Sequence, residues 1–455
     1  MMMIVEWLIP NAYLYFSETF DDWLGTAGTE TFAKKLEALY YSLKDDVHLV
    51  VIDLEREDDA QEIFETLNAL GTPLLPADLV KNYLFHLANR QKLDTRKLYD
   101  TYWKAFDDDR AYWRKEVRQG RLKRPQLDLF LNHFLTLMLG EEVLIAQVFS
   151  RYREYVEDRD PRSSSDHMVI FRGYADVYRK FDEFEADSRE GLFFYRLEQL
   201  DTTTFFPILL EALKRFDSES GRNELHQILG DLESFFVRRT ICDLTTKGYN
   251  KLTVEMIKEF KKESGGISGA AVRQFLLRQN SDTGRWPNDE ELRKSWNSSP
   301  IYKAVKRSKV RMILEALEAG LHSGKTERIK IDRKLTIEHL LPRDWEAHWP
   351  LPPGTNQELM EDAREAAIHV VGNLSLLTRE LNPSVSNGPW QRKRAEILKH
   401  SALNLNRTLP ELWSEEAIHA RSRELFEIAV KVWPFPPQSD HSLKPVGTET
   451  ASSLK

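Results

Sequence analysis

The chain has 455 residues, too many for one ordinary core, so two or three domains are expected. Its 41% hydrophobic and 11% aromatic content supports packed globular domains, and 30% charged residues indicate much solvated helical surface. The net charge of −8 does not advertise nucleic-acid binding, the single Cys242 excludes an internal disulfide or a multi-cysteine zinc site, and no apolar run approaches the roughly 20 residues of a membrane span.

The opening MMMIVEWLIPNAY has no basic leader and carries Glu6 and Pro10, which argues against a signal peptide and places the protein in the cytoplasm. Phe32, Leu36, Leu39, Tyr40 and Leu43 recur at helical spacing behind Thr29, a good N-cap. VHLVVIDLE, residues 47–55, predicts a buried strand. DDAQEIFETLNALG, residues 58–71, predicts a helix with Asp58 as N-cap, Gln61 three residues on, and Gly71 at the C-terminal stop. TPLLPADLVKNYLFHLANR turns once and starts another helix. A single strand cannot bury its neighbours alone, so this front piece reads as the end of a larger α/β domain.

From 91 to about 280 the pattern is helical almost throughout, as in QLDLFLNHFLTLML and LHQILGDLESFFVRRTICDL, with loops at EDRDPRSSSDH and KESGGISGA. No fixed-period repeat argues for a solenoid. Arg238 and Arg239 suit either a phosphate contact or a helix C-terminal cap. PIYKAVKRSKVRMILEAL, residues 300–317, predicts one helix with Lys303, Arg307 and Arg311 along one face. That stripe is either a solvated face or a surface for DNA phosphates. The last stretch, PPQSDHSLKPVGTETASSLK, is polar and without pattern, which predicts a disordered tail.

Chemistry gathers in the C-terminal third. TIEHLLP places Glu338 beside His339 where a β-branched segment is stopped by Pro342. Neighbouring strand residues point to opposite faces, so the pair can share one site only where the strand ends or bulges. After a long acidic loop segment, VVGNLSLL predicts a strand with Asn373 near its start. Asn382 follows nine residues later, and then WQRKRAEILKHSAL predicts a basic helix carrying Lys393. A neutral imidazole can take a proton from water near neutrality, and a carboxylate and an amide carbonyl are hard oxygen ligands suited to Mg²⁺. The order therefore suits metal-assisted cleavage of a phosphodiester. A zinc site from His339, His348 and His369 is disfavoured by their wide spacing.

These residues resemble the His-Asn-His nucleases of the ββα-metal fold. The resemblance implies His339 as general base, Glu338 and Asn382 as ligands of Mg²⁺ (or Mn²⁺), and Asn373 as the asparagine that orders the loop. Lys393, on the helix behind Asn382, is placed to meet the scissile phosphate. The acid is Glu where Asp is usual, and the 33 residues between His339 and Asn373 exceed the compact spacing. Both departures suit one branch. IEHLLP, GNLSLLTRELN and SNGPWQRKR are similar to the C-terminal domain of the GmrSD-type modification-dependent restriction endonucleases. IFETLNALGTPLLPADLVKN is similar to the end of that family's N-terminal, ParB/sulfiredoxin-like domain, with Asn68, Gly71, Asp78, Lys81 and Asn82 at its motif positions. VRRTICDLTTKGYNK resembles the middle region.

The implied fold is mainly α (α+β): a small α/β N-terminal remnant over 1–90, a helical connector over 91–284, a nuclease module over 285–435, and a tail over 436–455. The implied function is a Mg²⁺-dependent endonuclease acting on double-stranded, modified or phage DNA, with no membrane role. The family's Asp-Gly-Gln-Gln-Arg run, tied to nucleotide hydrolysis, is absent here. Its absence argues against NTP use by this chain alone. It also keeps two other readings open: a non-catalytic DNA- or partner-binding remnant, and one subunit of a split system whose N-terminal half is a separate chain.

Overall fold

The computed structural model describes residues 2–48, 75–119, 122–262, 265–322, 335–351, 353, 356–385 and 387–437. The helix expected at 58–71, with Asn68 and Gly71, lies outside the described residues, as do the strand expected at 47–55 beyond His48 and the tail beyond Pro437. The chain divides into two compact units, residues 1–115 with 152–170 and residues 116–151 with 171–455. Helices dominate, and the described strands form two small two-stranded sheets.

In the first unit, α1 (Met2–Leu24) and α2 (Glu30–Tyr41) are joined by a turn in which Gly25 and Gly28 adopt φ values of 78° and 86°, where a side chain would be strained. Thr29 caps α2 as expected, its hydroxyl accepting from the Phe32 N–H at 3.1 Å. The predicted stripe of this helix is nevertheless uncovered: Leu36, Tyr40 and Leu43 are exposed. Helix α3 (Pro76–Arg90) begins on a proline, which needs no N–H there. It buries Ala77, Val80, Leu84 and Ala88 at helical spacing. Phe85 on the same helix meets Trp103, which continues into an aromatic cluster with Phe106 and Trp113.

The second unit opens with an antiparallel hairpin, β1 (Glu116–Gln119) and β2 (Leu122–Pro125). The helical reading of 91–280 misses it, because its strands are rich in long charged side chains and show no apolar alternation. Periodic segments form α4 (Gln126–Leu139), α7 (Phe206–Arg215) and α8 (Arg222–Ile241), among α5 (Ser164–Glu183), which begins in the first unit and within the expected loop 157–167, α6 (Arg189–Leu200), α9 (Tyr249–Lys262), α10 (Gly269–Leu277) and α11 (Asp289–Ser298). Helix α8 is buried around most of its circumference, as befits a central helix. Arg238 and Arg239, both fully buried, serve neither of the roles the sequence suggests. Arg238 donates to the carbonyls of Trp433 (2.7 Å) and Pro287 (3.1 Å) and to Asp289 (2.7 Å). Arg239 donates to the carbonyls of Arg285 (2.7 Å), Thr245 (2.5 Å) and Asp282 (3.1 Å). Together they hold the irregular segment 282–289 against α8.

Burial among aromatic rings pushes His133 of α4 down to about 4. Its folded value thus lies below that of the unfolded chain, near 6.5, so protonation favours unfolding. The neutral ring is accommodated fully above pH 6.5. Stability is lost as pH falls from there toward 4, by about 3 kcal/mol from this residue. Urea unfolding at pH 7.0 and pH 4.5 should show the drop, and His133→Phe should reduce it. An unchanged drop in that variant would assign it to other groups.

The expected helix over 300–317 is broken. A short turn, Ile301–Ala304, is followed by extended backbone at Val305 and Lys306, and only then by α12 (Arg307–Leu321). Beyond it lie β3 (Thr336–His339), α13 (Gln357–Ile368), β4 (Leu374–Leu377), α14 (Leu381–Val385), α15 (Trp390–His400) and α16 (Glu415–Val432). Helix α13 falls in the acidic stretch read as a loop from sequence. Trp345, Trp349, Trp390 and Trp413 share the hydrophobic core of this region with Leu340, Leu341 and Ile397. No described helix is long and apolar enough to cross a membrane.

Candidate active site

Strands β3 and β4 pair antiparallel, with Glu338 opposite Ser375 and His339 opposite Leu374. Asn373 is fully buried where the ladder ends. Its main-chain carbonyl accepts from the Leu340 N–H at 2.9 Å. The side-chain oxygen accepts from the Leu341 N–H (2.7 Å) and the Trp413 indole (3.1 Å), while its amide donates to the carbonyls of Leu341 (2.8 Å) and Ile368 (2.9 Å). One carboxamide therefore closes the chain just after His339. Helix α16 supports it from behind. Arg421 donates to the carbonyls of Gly372 (2.6 Å) and Leu374 (2.8 Å), and a Cβ at Gly372 would lie 2.1 Å from the Ile418 carbonyl oxygen. Only glycine allows that approach.

Alternation along β3 separates the acid from the imidazole. Glu338, 8% exposed, pairs with Lys393 of α15, whose ammonium also donates to the His339 carbonyl at 2.6 Å. Burial pushes the Glu338 carboxyl up and the Lys393 ammonium down, and each partner's charge opposes the other's shift. Asn382 of α14 reaches the same strand, donating to the Thr336 hydroxyl (2.9 Å) and the Ile337 carbonyl (3.3 Å). Lys393 is thus committed to Glu338 and the strand. Lys393→Met should leave that carboxylate without its counter-charge and destabilise the fold by about 3–5 kcal/mol. In urea unfolding, the Glu338→Gln, Lys393→Met double variant should regain most of the loss. A single variant as stable as the wild type would contradict the pairing.

His339 faces a different group. Its ring, 7% exposed, meets Tyr302 edge-on at 4.2 Å and His369 at 5.5 Å, and its Nε2 has no hydrogen-bond partner. Burial pushes it down to about 3, reinforced by His369, Arg343, Lys393 and Arg307, so the ring is neutral near pH 7. Of the predicted phosphate stripe, Lys303 and Arg307 are exposed and act electrostatically on this cluster, Arg307 lying 3.3 Å over the Tyr302 ring. Arg311 instead pairs with Glu315 at 3.6 Å. Sequence reasoning missed Tyr302 and Arg343 and met His369 only as a zinc candidate. The available signal was His369 four residues before Asn373, and Tyr302 beside Lys303. His348 is exposed and outside the cluster.

The described part of the N-terminal motif makes ion pairs. Asp78 accepts two bonds from Arg114 (2.5 and 3.1 Å), and Lys81 meets Asp107 at 2.5 Å while lying over Tyr99. Asn82 is exposed. These contacts tie α3 to the segment after it.

Glu338 and Asn382 both engage the Thr336–Glu338 side of β3 and offer the hard oxygens that Mg²⁺ takes. No set of three or more His, Cys, Asp or Glu suited to a metal occurs among the described residues.

His339 thus ends β3, buried, and the turn that follows it is closed by Asn373. Two family models match the chain: the GmrSD restriction endonuclease N-terminal domain over residues 8–85, and the GmrSD restriction endonuclease C-terminal domain over residues 286–428. The chain belongs to the GmrSD-type restriction endonucleases, enzymes of DNA restriction and defence. No curated protein matches it.

Proposed function

We propose that this protein is a metal-dependent DNA endonuclease of the His-Asn-His, ββα-metal type, restricting modified or phage DNA. The observation that carries the reading is His339: a strand-end imidazole with an unpartnered nitrogen, acted on by Arg307 and Arg343 and followed by a turn that Asn373 closes. In this reading His339 takes a proton from water, the water oxygen attacks phosphorus, and the bond to the departing oxygen breaks. Glu338 and Asn382 would hold Mg²⁺, which when bound supplies charge for the phosphate and the departing oxygen. Lys393 keeps the Glu338 carboxylate oriented. Arg307 and Lys303 draw the DNA backbone to the site.

A second reading, a chain that binds DNA or a partner chain without cutting, is favoured by one observation: Lys393 already occupies Glu338. Plasmid DNA in several modification states, incubated with protein and Mg²⁺, separates the two. Nicked or linear product that disappears with EDTA and with His339→Ala supports the nuclease. Retention of plasmid without cleavage supports the second reading.

A further inference from the structure

Opposite His339 stands a second imidazole without an assigned task. His369, at the C-terminal end of α13, is 5% exposed, and its Nδ1 has no hydrogen-bond partner. The His339 and His369 rings lie 5.5 Å apart and nearly perpendicular, at 88°. Tyr302 fixes both: its ring is parallel to His369 (10°, 5.8 Å) and edge-on to His339, and its N–H donates to the His369 carbonyl at 3.2 Å. Arg307 covers the Tyr302 ring.

Two buried nitrogens without partners each cost about 1–3 kcal/mol, so each calls for a partner or a catalytic role. The surrounding charge identifies the ligand's sign. Lys303, Arg307 and Arg343 all bear on His369, with Glu365 the opposing charge. A cation between the imidazoles would be repelled. An anion would be held, and for Arg307 no carboxylate partner occurs among the described residues to compete with it.

We infer that His369 is a second substrate-contacting residue, whose ring N–H donates to a phosphate oxygen of the DNA strand that His339 attacks. The inference rests on the nuclease reading and adds to it a second imidazole, 5.5 Å from His339, that faces the phosphate. Tyr302 is a positioning residue that holds the two imidazoles at fixed separation. Arg307 contributes charge, so it governs salt dependence, which a neutral imidazole does not.

The test compares wild type, His369→Ala, His369→Gln, Arg307→Ala and His339→Ala in the full chain. His369→Ala should remain folded, lose about tenfold or more in kcat/KM at a temperature well below its melting point, and leave the slope of log K against log salt unchanged. His369→Gln, which can still donate, should recover part of the activity. Arg307→Ala should lower the salt slope by about 0.7–0.9. Independently of cleavage, a short DNA duplex added with EDTA should shift the ring resonances of ¹⁵N-histidine that His369→Ala removes. Wild-type kcat/KM in His369→Ala, or a loss matched by a fall in melting temperature with no ring shift on DNA, would overturn the inference. Absence of cleavage by the wild type would sink the nuclease reading instead, and the ring shift would still decide the phosphate contact.

Discussion

His339→Ala is expected to abolish measurable cleavage, by about 10²- to 10⁴-fold, while the protein remains folded. The magnitude is that of removing a positioned general base. Retention of the fold follows from what the side chain does: Nε2 makes no hydrogen bond, and the loop behind it is held by Asn373. Losing the contact with Tyr302 costs some packing, but removing a buried imidazole that resists protonation also relieves an unfavourable burial as the medium becomes acidic. Single-turnover nicking of plasmid DNA beside a thermal melt checks both halves. A variant that cuts at the wild-type rate removes His339 from the chemistry. One that unfolds makes it a packing residue.

Asn373→Asp has the largest expected effect on stability. The substitution is nearly isosteric, so no cavity opens, yet it turns a double donor into an acceptor facing the carbonyls of Leu341 and Ile368. Two buried carbonyls lose their partners and meet a carboxylate, a cost of about 2–6 kcal/mol. The other oxygen still accepts from Leu341 and Trp413, so the loss is confined to the amide side. Denaturant unfolding should show a lowered midpoint with the slope preserved. Cleavage should fall too, since the turn after His339 is what the amide closes. Wild-type stability in this variant would mean that the carboxamide does not order the turn.

Local signals were readable where local physics decides. Thr29 before an apolar stripe gave the start of α2, a β-branched pair stopped by Pro342 gave the end of β3, and GNLSLL gave Asn373 at the head of β4. What stayed hidden depends on residues far apart in the chain. Lys393 meets Glu338 across 55 positions, and His369 reaches Tyr302 through a main-chain bond. The break at Val305–Lys306 has no glycine or proline to announce it. It coincides with that Tyr302–His369 bond and an ion pair from Lys306 to Asp201 at 3.0 Å, both tertiary contacts that override helical periodicity. Helix α13 was hidden by its polar surface. The hairpin β1–β2 was hidden because short charged strands carry no alternation.

The support of the Asn373 turn by α16 sets an order of events during synthesis. Arg421 and the close approach of Ile418 to Gly372 come from a helix made after β3, β4 and α15, and Trp433 at its end donates to Glu233 of α8 across 200 positions. A chain still on the ribosome, with β3, β4 and α15 already emerged, lacks the clamp that seats the histidine's loop. The proposed nuclease site is therefore silent until α16 has been made and has docked.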